Sequence, residues 1–430
     1  MAFLQSHRNG LTPGDRLTPR TLLLIIGLAV LYAASGFVVQ RIRADSTQWL
    51  NPDRIAEISR NLCRRGEFAE MPGQPTVLRG PAYPVALAAP CWITGWDPQS
   101  FAPLVNGLCH LATLWVLALH PLTPSGRARA VALLAVGLDP LLLNYAGRTY
   151  LEPMLILSVA LGIAAIDRLV EKPGLRSMAI LGLAWGVGLL VKPVLLYLVV
   201  ALVAALLLVA PRSALFALGS FLIAAVIILP WFLRNLTVSG CFIPVASGAW
   251  ELTLKGDTFS QLARKEEGVV DLERIAKERL RALDRELGIE HVPPCVREAY
   301  YMREELRRIR TQPGHFAHKL VAQSMAFWAL GGDRHKTLLF QMLQLPLLCL
   351  VPAAIRFHWR THRRALLGFG VIACYMVMVH SVSLAIARYS MPLRPWIMLI
   401  VATWLANYVI GKPRQRSSIV DVKPQAMQVP

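Results

Sequence analysis

The chain has 430 residues and a formal net charge of +19, and 55% of its residues are hydrophobic while only 17% are charged. With a mean hydropathy of +0.47, it is too apolar for a soluble globular protein of this length. The positive excess lies in short loops between apolar runs, and no nucleic-acid-binding motif accompanies it, so we expect no nucleic acid partner.

Apolar runs of about twenty residues recur along the chain, and each can cross the roughly 30 Å hydrocarbon layer as a helix. We therefore predict an all-α polytopic membrane protein. The polar N-terminus, residues 1–20, carries arginines and is expected in the cytoplasm. The first span, Thr21 to Gln40, is too long for the apolar part of a signal peptide, so we interpret it as a retained signal-anchor helix.

The first outer loop, residues 41–100, ends in a short apolar segment, Pro81 to Trp96. If that segment crossed the membrane, every later basic cluster would fall outside, against the positive-inside rule. We therefore place it in the membrane interface. The remaining apolar runs then give about ten spans with both termini inside, namely 21–40, 101–120, 130–145, 154–166, 178–191, 194–209, 214–229, 338–355, 366–387 and 396–410.

These spans divide the rest of the chain. A transmembrane catalytic core, 21–235, is followed by an extracytoplasmic loop domain, 236–335, because that stretch is polar and contains charged helical segments. C-terminal transmembrane helices, 336–411, precede a cytoplasmic tail, 412–430. The same topology places Ser125 and Thr361 in the cytoplasm and Thr258 outside.

The seven cysteines show no metal-ligand spacing, so we expect neither a metal nor a cofactor. Cys109, Cys349 and Cys374 lie in apolar runs and are expected to be small hydrophobic residues. Cys241 and Cys295 fall in the predicted outer loop domain, where they could pair.

The predicted topology gathers distant polar residues on the outer face. Taken singly, each is more often an interfacial anchor. The positive-inside rule predicts few bases on this face, however, so a base at every outer turn indicates a functional site. Basic groups at headgroup depth suit a lipid-linked phosphate. The residues assigned to substrate binding are Arg79, Tyr83, Arg148, Lys192, Arg234, Asn235, Arg388 and Tyr389.

Three acids share this face and are candidates for a catalytic base: Asp53, Asp45 and Glu152. A carboxylate beside a basic phosphate site can take the proton of an acceptor hydroxyl, which then attacks the anomeric carbon of a sugar. The leaving group, a polyprenyl phosphate, is a weak base and needs charge stabilisation more than protonation. Asp139, inside the third span and before Pro140, is expected to cap a helix break and receives no catalytic role.

Five short motifs follow one another in a recognisable order. They are NPDRIAEISRNL at 51–62 with GEF at 66–68, RGPAYP at 79–84, YLEP at 150–153, KP at 192–193, and WFLRN at 231–235 with GCFIP at 240–244 and the stretch from Gly248 to Gly256. Together they resemble the GT-C membrane glycosyltransferases, which include the protein O-mannosyltransferases, the lipid A aminoarabinose transferases and the galacturonic acid transferases of bacterial lipopolysaccharide. The resemblance covers most of residues 21–395.

The resemblance implies a GT-C-like fold in a bacterial inner membrane, with an extracytoplasmic active site. It implies a polyprenyl-phosphate-linked sugar as donor and a lipid, glycan or protein as acceptor, among membrane lipids. In that family a first-loop aspartate is the proposed base. Here Asn51 occupies the strict register, Asp53 lies two residues on, and Asp45 fits a looser pattern.

Two other classes of function remain open at the level of the sequence. A lipid-linked sugar flippase or other transporter would place ionisable groups near mid-membrane, in two repeated halves, and the sequence has no convincing internal repeat. A non-catalytic homologue is compatible with Asn51 at the position of the family's base.

Overall fold

The computed structural model describes residues 17–46, 50–123, 126–262, 272–331 and 333–410. Within them the regular secondary structure is helical except for one small hairpin, whose strands β1 (Ala69–Met71) and β2 (Gln74–Pro75) pair antiparallel. Ser125 and nearly all of the two predicted cytoplasmic ends, 1–20 and 412–430, lie outside the described residues, so those predictions stay predictions.

The first half of the chain builds the N-terminal helices. They are α1 (Pro19–Ile42), α2 (Ile55–Arg65), α3 (Ala82–Thr94), α4 (Ala102–Leu119), α5 (Gly126–Gly137), α6 (Pro140–Leu143), α7 (Glu152–Glu171), α8 (Leu175–Val191), α9 (Leu198–Val209) and α10 (Pro211–Ser239). The second half gives α11 (Ala249–Leu262), α12 (Leu272–Glu286), α13 (Pro294–Thr311), α14 (Pro313–Ala329), α15 (Arg334–His362), α16 (Leu367–Val382) and α17 (Arg394–Ile410).

Six helical stretches of the described residues are long and apolar enough to cross a membrane. They are Pro19–Ile42, Pro98–Leu119, Glu152–Glu171, Pro211–Ser239, Arg334–Arg360 and Arg364–Val382. The predicted multi-pass membrane character is therefore confirmed. The predicted count of ten spans stays a prediction, because helices such as α8 are apolar but shorter than a full span.

The predicted span 130–145 contains the helix break that the sequence analysis expects at Asp139. Helix α5 ends at Gly137, and the Oδ1 atom of Asp139 accepts a hydrogen bond from the Leu142 backbone N–H at 2.9 Å, which caps α6. Asp139 thus caps a helix break, as expected. Its carboxylate also receives two hydrogen bonds from Arg394, at 2.8 and 2.7 Å, which fasten the break to α17.

The predicted outer loop domain contains α11 to α14. Helix α11 packs against α12 and α13, with Leu254, Ile289 and Tyr301 buried between them. Helix α14 behaves differently, because it packs on α15 and α16 and places Phe327 in the core of the main bundle. The last helix of this domain is therefore also a wall of the bundle.

Two disulfides secure the loops at one end of the bundle. Cys63 of α2 is bonded to Cys91 of α3, and Cys241, just after α10, is bonded to Cys295 of α13. The second bond is the pairing that the sequence left open, while the first was not predicted. The three free cysteines lie in α4, α15 and α16.

Candidate active site

The first outer loop is fixed at the start of α2 by the side chain of Asn51. The Oδ1 atom of Asn51 accepts a hydrogen bond from the Ala56 N–H at 3.1 Å, and its amide donates to the carboxylate of Glu57. Arg54 adopts a left-handed conformation with φ 53°. The Asn51 side chain is therefore engaged by the first turn of α2. Asp53 is the acid of this loop that contacts the charged cluster, as the following distances show.

The carboxylate of Asp53 lies between two guanidinium groups. Its Oδ1 atom is 3.7 Å from Nη2 of Arg79, and its Oδ2 atom is 3.8 Å from Nη1 of Arg388. Both separations exceed ordinary hydrogen-bond lengths. The two guanidinium groups therefore lie near the Asp53 carboxylate without hydrogen-bonding to its oxygens, which leaves those oxygens accessible to a hydroxyl group.

Glu152 enters the same cluster from another direction. It is the first residue of α7, where the helix dipole favours a negative charge. Its side chain is only 2% exposed, and its Oε1 atom lies 3.0 Å from Nε of Arg388. Among the described residues neither carboxylate oxygen has a hydrogen-bond partner of good geometry, so Arg388 joins Glu152 to Asp53 through charge.

Aromatic rings hold the cations of the cluster. The Tyr150 ring lies between two guanidinium groups, 4.4 Å from Cζ of Arg148 and 4.8 Å from Cζ of Arg388. The Nζ atom of Lys192 lies 4.1 Å from the centre of the Tyr389 ring. Such contacts place a cation without neutralising its charge. The cluster therefore keeps positive charge available to an anionic ligand.

Burial changes the acid–base properties of this site. It lowers the pKa of Lys192 to about 8, and the nearby Glu152 carboxylate opposes part of that effect. Burial also raises the pKa of Tyr150, although Arg388 and Arg148 act in the other direction. Lys192 can therefore lose its charge at mildly alkaline pH.

Tyr83 supports the cluster from behind. Its hydroxyl donates to Oδ1 of Asn106 at 2.8 Å, and the amide of Asn106 donates to the carbonyl oxygens of Tyr145, Ala146 and Arg148 at 2.9 to 3.1 Å. Because Tyr83 is fully buried, its described contacts are structural. Asn106 was not predicted, although a lone asparagine within an apolar run was the available signal.

Arg234 and Asn235 lie in a neighbouring structural contact. The Arg234 guanidinium donates to the carbonyl oxygens of Thr76 at 2.6 Å and Phe68 at 3.0 Å, so it binds the first outer loop to α10. The buried amide of Asn235 donates to the carbonyl oxygens of Ile243 and Val245. In the described contacts, these two predicted substrate-binding residues hold loops.

Asp45 does not meet the cluster in the described part of the chain. It lies exposed in the turn after α1. Of the three predicted acids, the structure therefore brings Asp53 and Glu152 together and leaves Asp45 apart.

Two close backbone contacts lie beside the segments that bear Lys192 and Arg388. A Cβ atom on Gly80 would lie 2.3 Å from the carbonyl oxygen of Leu190, two residues before Lys192. A Cβ atom on Gly256 would lie 1.9 Å from the carbonyl oxygen of Ser383, at the start of the segment that leads to Arg388. Only glycine permits these approaches. The first loop therefore packs directly against the end of α8 before Lys192, and α11 packs directly against the segment that leads to Arg388.

Gln323 links α11 to the segment before Arg388 and was not predicted. Its side chain is buried in α14 and joins two backbone groups from different elements. Its amide donates to the Gly256 carbonyl at 3.0 Å, and its Oε1 atom accepts from the Ala385 N–H at 2.6 Å. Gln323 therefore fixes the position of α11 relative to the segment that carries Arg388.

The described residues contain no group of three or more His, Cys, Asp or Glu that could hold a metal ion. The carboxylates of the cluster are instead matched by guanidinium groups. Its chemistry is that of an acid pair within a basic, aromatic-lined site.

Comparison with known proteins gives a weak structural likeness. The sequence matches no protein-family model and no curated protein. Among solved structures it is similar to the archaeal oligosaccharyltransferase AglB from Archaeoglobus fulgidus, in complex with an inhibitory peptide and a dolichol-phosphate. The TM-score is 0.49 at 13% sequence identity, over 90% of this chain and 50% of AglB. The chain thus spans half the length of AglB, and a likeness of this strength carries no argument about activity.

Proposed function

We propose that the protein is an integral-membrane glycosyltransferase. It moves a sugar from a polyprenyl-phosphate donor to a hydroxyl group of a lipid, glycan or protein acceptor on the extracytoplasmic face. The observation that carries the proposal is the meeting of Asp53 and Glu152 with Arg79, Arg388 and Lys192 at one end of an apolar helix bundle. The GT-C-like motifs lie on the same loops.

The reaction follows from the charges of the cluster. Asp53 takes the proton of the acceptor hydroxyl as its oxygen bonds to the anomeric carbon of the sugar. The bond from that carbon to the phosphate oxygen breaks, and the electron pair leaves with polyprenyl phosphate. Lys192 and Arg388 stabilise the negative charge on this leaving group. Glu152 keeps Arg388 in place and is the second candidate base.

The disulfides support an extracytoplasmic site. Both lie in the loops at the end of the bundle where the cluster lies. Disulfides persist in oxidising compartments and are rare in the cytosol. We infer that this end faces the periplasm of a bacterial inner membrane, which is also where polyprenyl-linked sugars would meet acceptors outside the cell.

One observation favours a transporter instead. Asp139 and Arg394 are both buried, and charged residues at membrane depth often line transport pathways. The pair is held by two short hydrogen bonds across a helix break, which fits a fixed internal brace better than a moving gate. We therefore prefer the transferase.

The deciding experiment uses the purified full chain in liposomes with labelled polyprenyl-phosphate hexoses and pentoses and a mixture of envelope acceptors. Appearance of free polyprenyl phosphate together with labelled acceptor supports the transferase. Glu70→Gln, an acid of the first loop paired loosely with Arg54, is the control for charge removal, and Arg388→Gln is the inactivating variant. Movement of intact donor across the bilayer without release of polyprenyl phosphate would establish the transporter and reject the proposal.

A further inference from the structure

A cavity lies in the outer helical region, which consists of α11 to α14, and is separate from the catalytic cluster. Its volume is about 380 Å³, at the small end of the range for ligand pockets. Four helices contribute to its walls, α11 to α14. The lining residues are Leu254, Lys255, Asp257, Thr258, Ala276, Arg279, Leu280, Leu283, Arg307, Arg308, Gln312 and His315.

The lining is predominantly basic. Lys255, Arg279, Arg307 and Arg308 give four formal positive charges, and Asp257 is the one carboxylate among these residues. The negative charge of Asp257 is already matched, because its carboxylate lies 2.9 Å from Nζ of the fully buried Lys319 and 3.3 Å from Nη1 of Arg308. Asp257 thus stabilises the floor of the cavity.

The basic side chains are oriented by acids that lie outside the lining. Lys255 bonds to Glu251 at 2.5 Å, and the guanidinium groups of Arg307 and Arg308 both bond to Glu304 at 2.7 Å. Preorganised arginines lose less conformational entropy when they bind an oxyanion. The cavity is therefore a built site with its cations held in position.

The junction of two helices forms one edge of the cavity. Gln312 follows the last residue of α13 and precedes the first residue of α14, and His315 lies in the first turn of α14. The C-terminal dipole of α13 and the N-terminal dipole of α14 oppose each other at this junction, so the charge of the cavity comes from its side chains. Apolar side chains of α12, including Leu280 and Leu283, form the remaining wall, which suits the carbon face of a sugar ring.

We propose that this cavity binds an acidic sugar of the acceptor, through a phosphate or carboxylate substituent that does not itself react. This inference rests on the proposed transferase function for its place in the reaction. Helix α11 links the two sites, since Asp257 lines the cavity while the adjacent Gly256 packs on Ser383, near Arg388.

The test measures binding and requires no turnover. The full chain in lipid nanodiscs is titrated calorimetrically with glucose 6-phosphate, glucuronate and neutral glucose. We expect one or both anionic sugars to bind and glucose to bind at least tenfold more weakly. Tighter binding of the phosphate or of the carboxylate identifies which substituent the cavity takes.

Matched double variants locate the binding. Arg279→Gln with Arg307→Gln should weaken the anionic sugar by about tenfold or more, because two charge-assisted contacts are lost. Arg281→Gln with Arg310→Gln removes the same charge from the same two helices at exposed positions outside the lining, and should change affinity by less than about twofold. Equal losses in both pairs, binding of glucose as tight as that of the anionic sugars, or no binding of either anionic sugar would overturn the proposal.

The binding assay also separates this inference from the transferase proposal. Asp53→Asn, a variant of the catalytic cluster, should bind the anionic sugar as the wild type does. Anion binding without any glycosyl transfer would leave the cavity assigned and reject the transferase. Transfer that is unaffected by the Arg279 and Arg307 variants, with no anionic sugar bound, would reject the assignment of the cavity and keep the transferase.

Discussion

At the scale of single residues, the cluster depends on which acid of the first loop meets Arg388. Asn51 is used to cap α2, while Asp53 lies between Arg79 and Arg388. A two-residue shift of the acid therefore still delivers a carboxylate to the basic site. Asp45 ranks below Asp53 on these contacts, because it lies exposed in the turn after α1.

Replacing Asp53 tests its assignment as the base. Asp53→Asn should lower turnover by at least about a hundredfold, the lower bound for general-base catalysis, with donor affinity nearly unchanged. Single-turnover transfer and donor binding are measured separately on the purified variant. Asp45→Asn is the control and should keep turnover within about threefold of the wild type. If Asp53→Asn is active and Glu152→Gln is not, the base is Glu152.

The pH dependence of donor binding tests Lys192. Burial lowers the pKa of this lysine to about 8, so the ammonium is charged below that pH and neutral above it. Attraction for the donor phosphate should therefore fall as the pH rises through about 8, and donor affinity should drop by roughly tenfold or more. Binding of the polyprenyl-phosphate sugar is measured from pH 6.5 to 9.5 on the wild type and two variants.

Lys192→Arg retains its charge throughout this range and should remove the fall in affinity. Lys192→Met should bind weakly at every pH. A wild-type profile that is flat across this range would exclude Lys192 from the phosphate site. A fall that persists in Lys192→Arg would assign the titration to another group.

At the scale of elements, hydropathy locates apolar helices well and says little about how they break. Asp139 before Pro140 signals the break within 130–145, where α5 ends at Gly137 and α6 starts after Asp139. The sequence does not reveal that this break is bonded to Arg394, more than 250 residues away in the chain. The role of α14 in the bundle was likewise missed, since its polar residues resemble those of a loop domain until Gln323 is seen between two backbone groups.

Gln323 provides a test of how α11 positions Arg388. Gln323→Leu removes two hydrogen bonds and leaves the Gly256 carbonyl and the Ala385 N–H without their partner, at about 1–3 kcal/mol for each buried group. We expect kcat to fall about tenfold or more, because the segment bearing Arg388 shifts. Gln341→Leu, on the half-buried face of α15, is the matched control.

The readout must separate positioning from general destabilisation. Gln323→Leu should lower kcat at temperatures well below its unfolding midpoint, with little change in anionic-sugar binding. Gln323→Glu keeps the acceptor for Ala385 and should restore part of the activity. A variant that loses melting temperature but keeps the wild-type kcat would make Gln323 a purely structural residue.

At the scale of the whole molecule, the alternating direction of the helices decides which residues meet at the site. The positive-inside rule predicts the common face of Asp53, Glu152, Lys192 and Arg388, and these residues do converge. The rule acts on helix ends and cannot distinguish a residue that faces the site from one that braces it. The described contacts of Arg234 and Tyr83 are with loop carbonyls and with Asn106, and their assignment to substrate binding stays a prediction.

Sidedness is the property of the whole molecule on which the proposed chemistry depends. Helix α7 begins at Glu152 in the cluster, ends at Glu171 and is long and apolar enough to cross a membrane, so we expect its two ends on opposite faces. Thr311, at the end of α13, is exposed on the outer helical region, whereas Thr258 is buried and would resist labelling on either side. Single cysteines at Thr311 and Glu171 therefore test the orientation best.

In a background with Cys349→Ser and Cys374→Ser, a membrane-impermeant maleimide should label Thr311→Cys in intact cells. It should label Glu171→Cys only after the membrane is opened. The four disulfide-bonded cysteines do not react while oxidised, and Cys109 is buried. Reduction should expose them and lower stability by about 2–4 kcal/mol for each bond broken. Labelling of both positions from the same side would contradict the topology, and labelling of Glu171→Cys alone in intact cells would place the cluster in the cytoplasm, where polyprenyl-linked donors could not meet an extracytoplasmic acceptor.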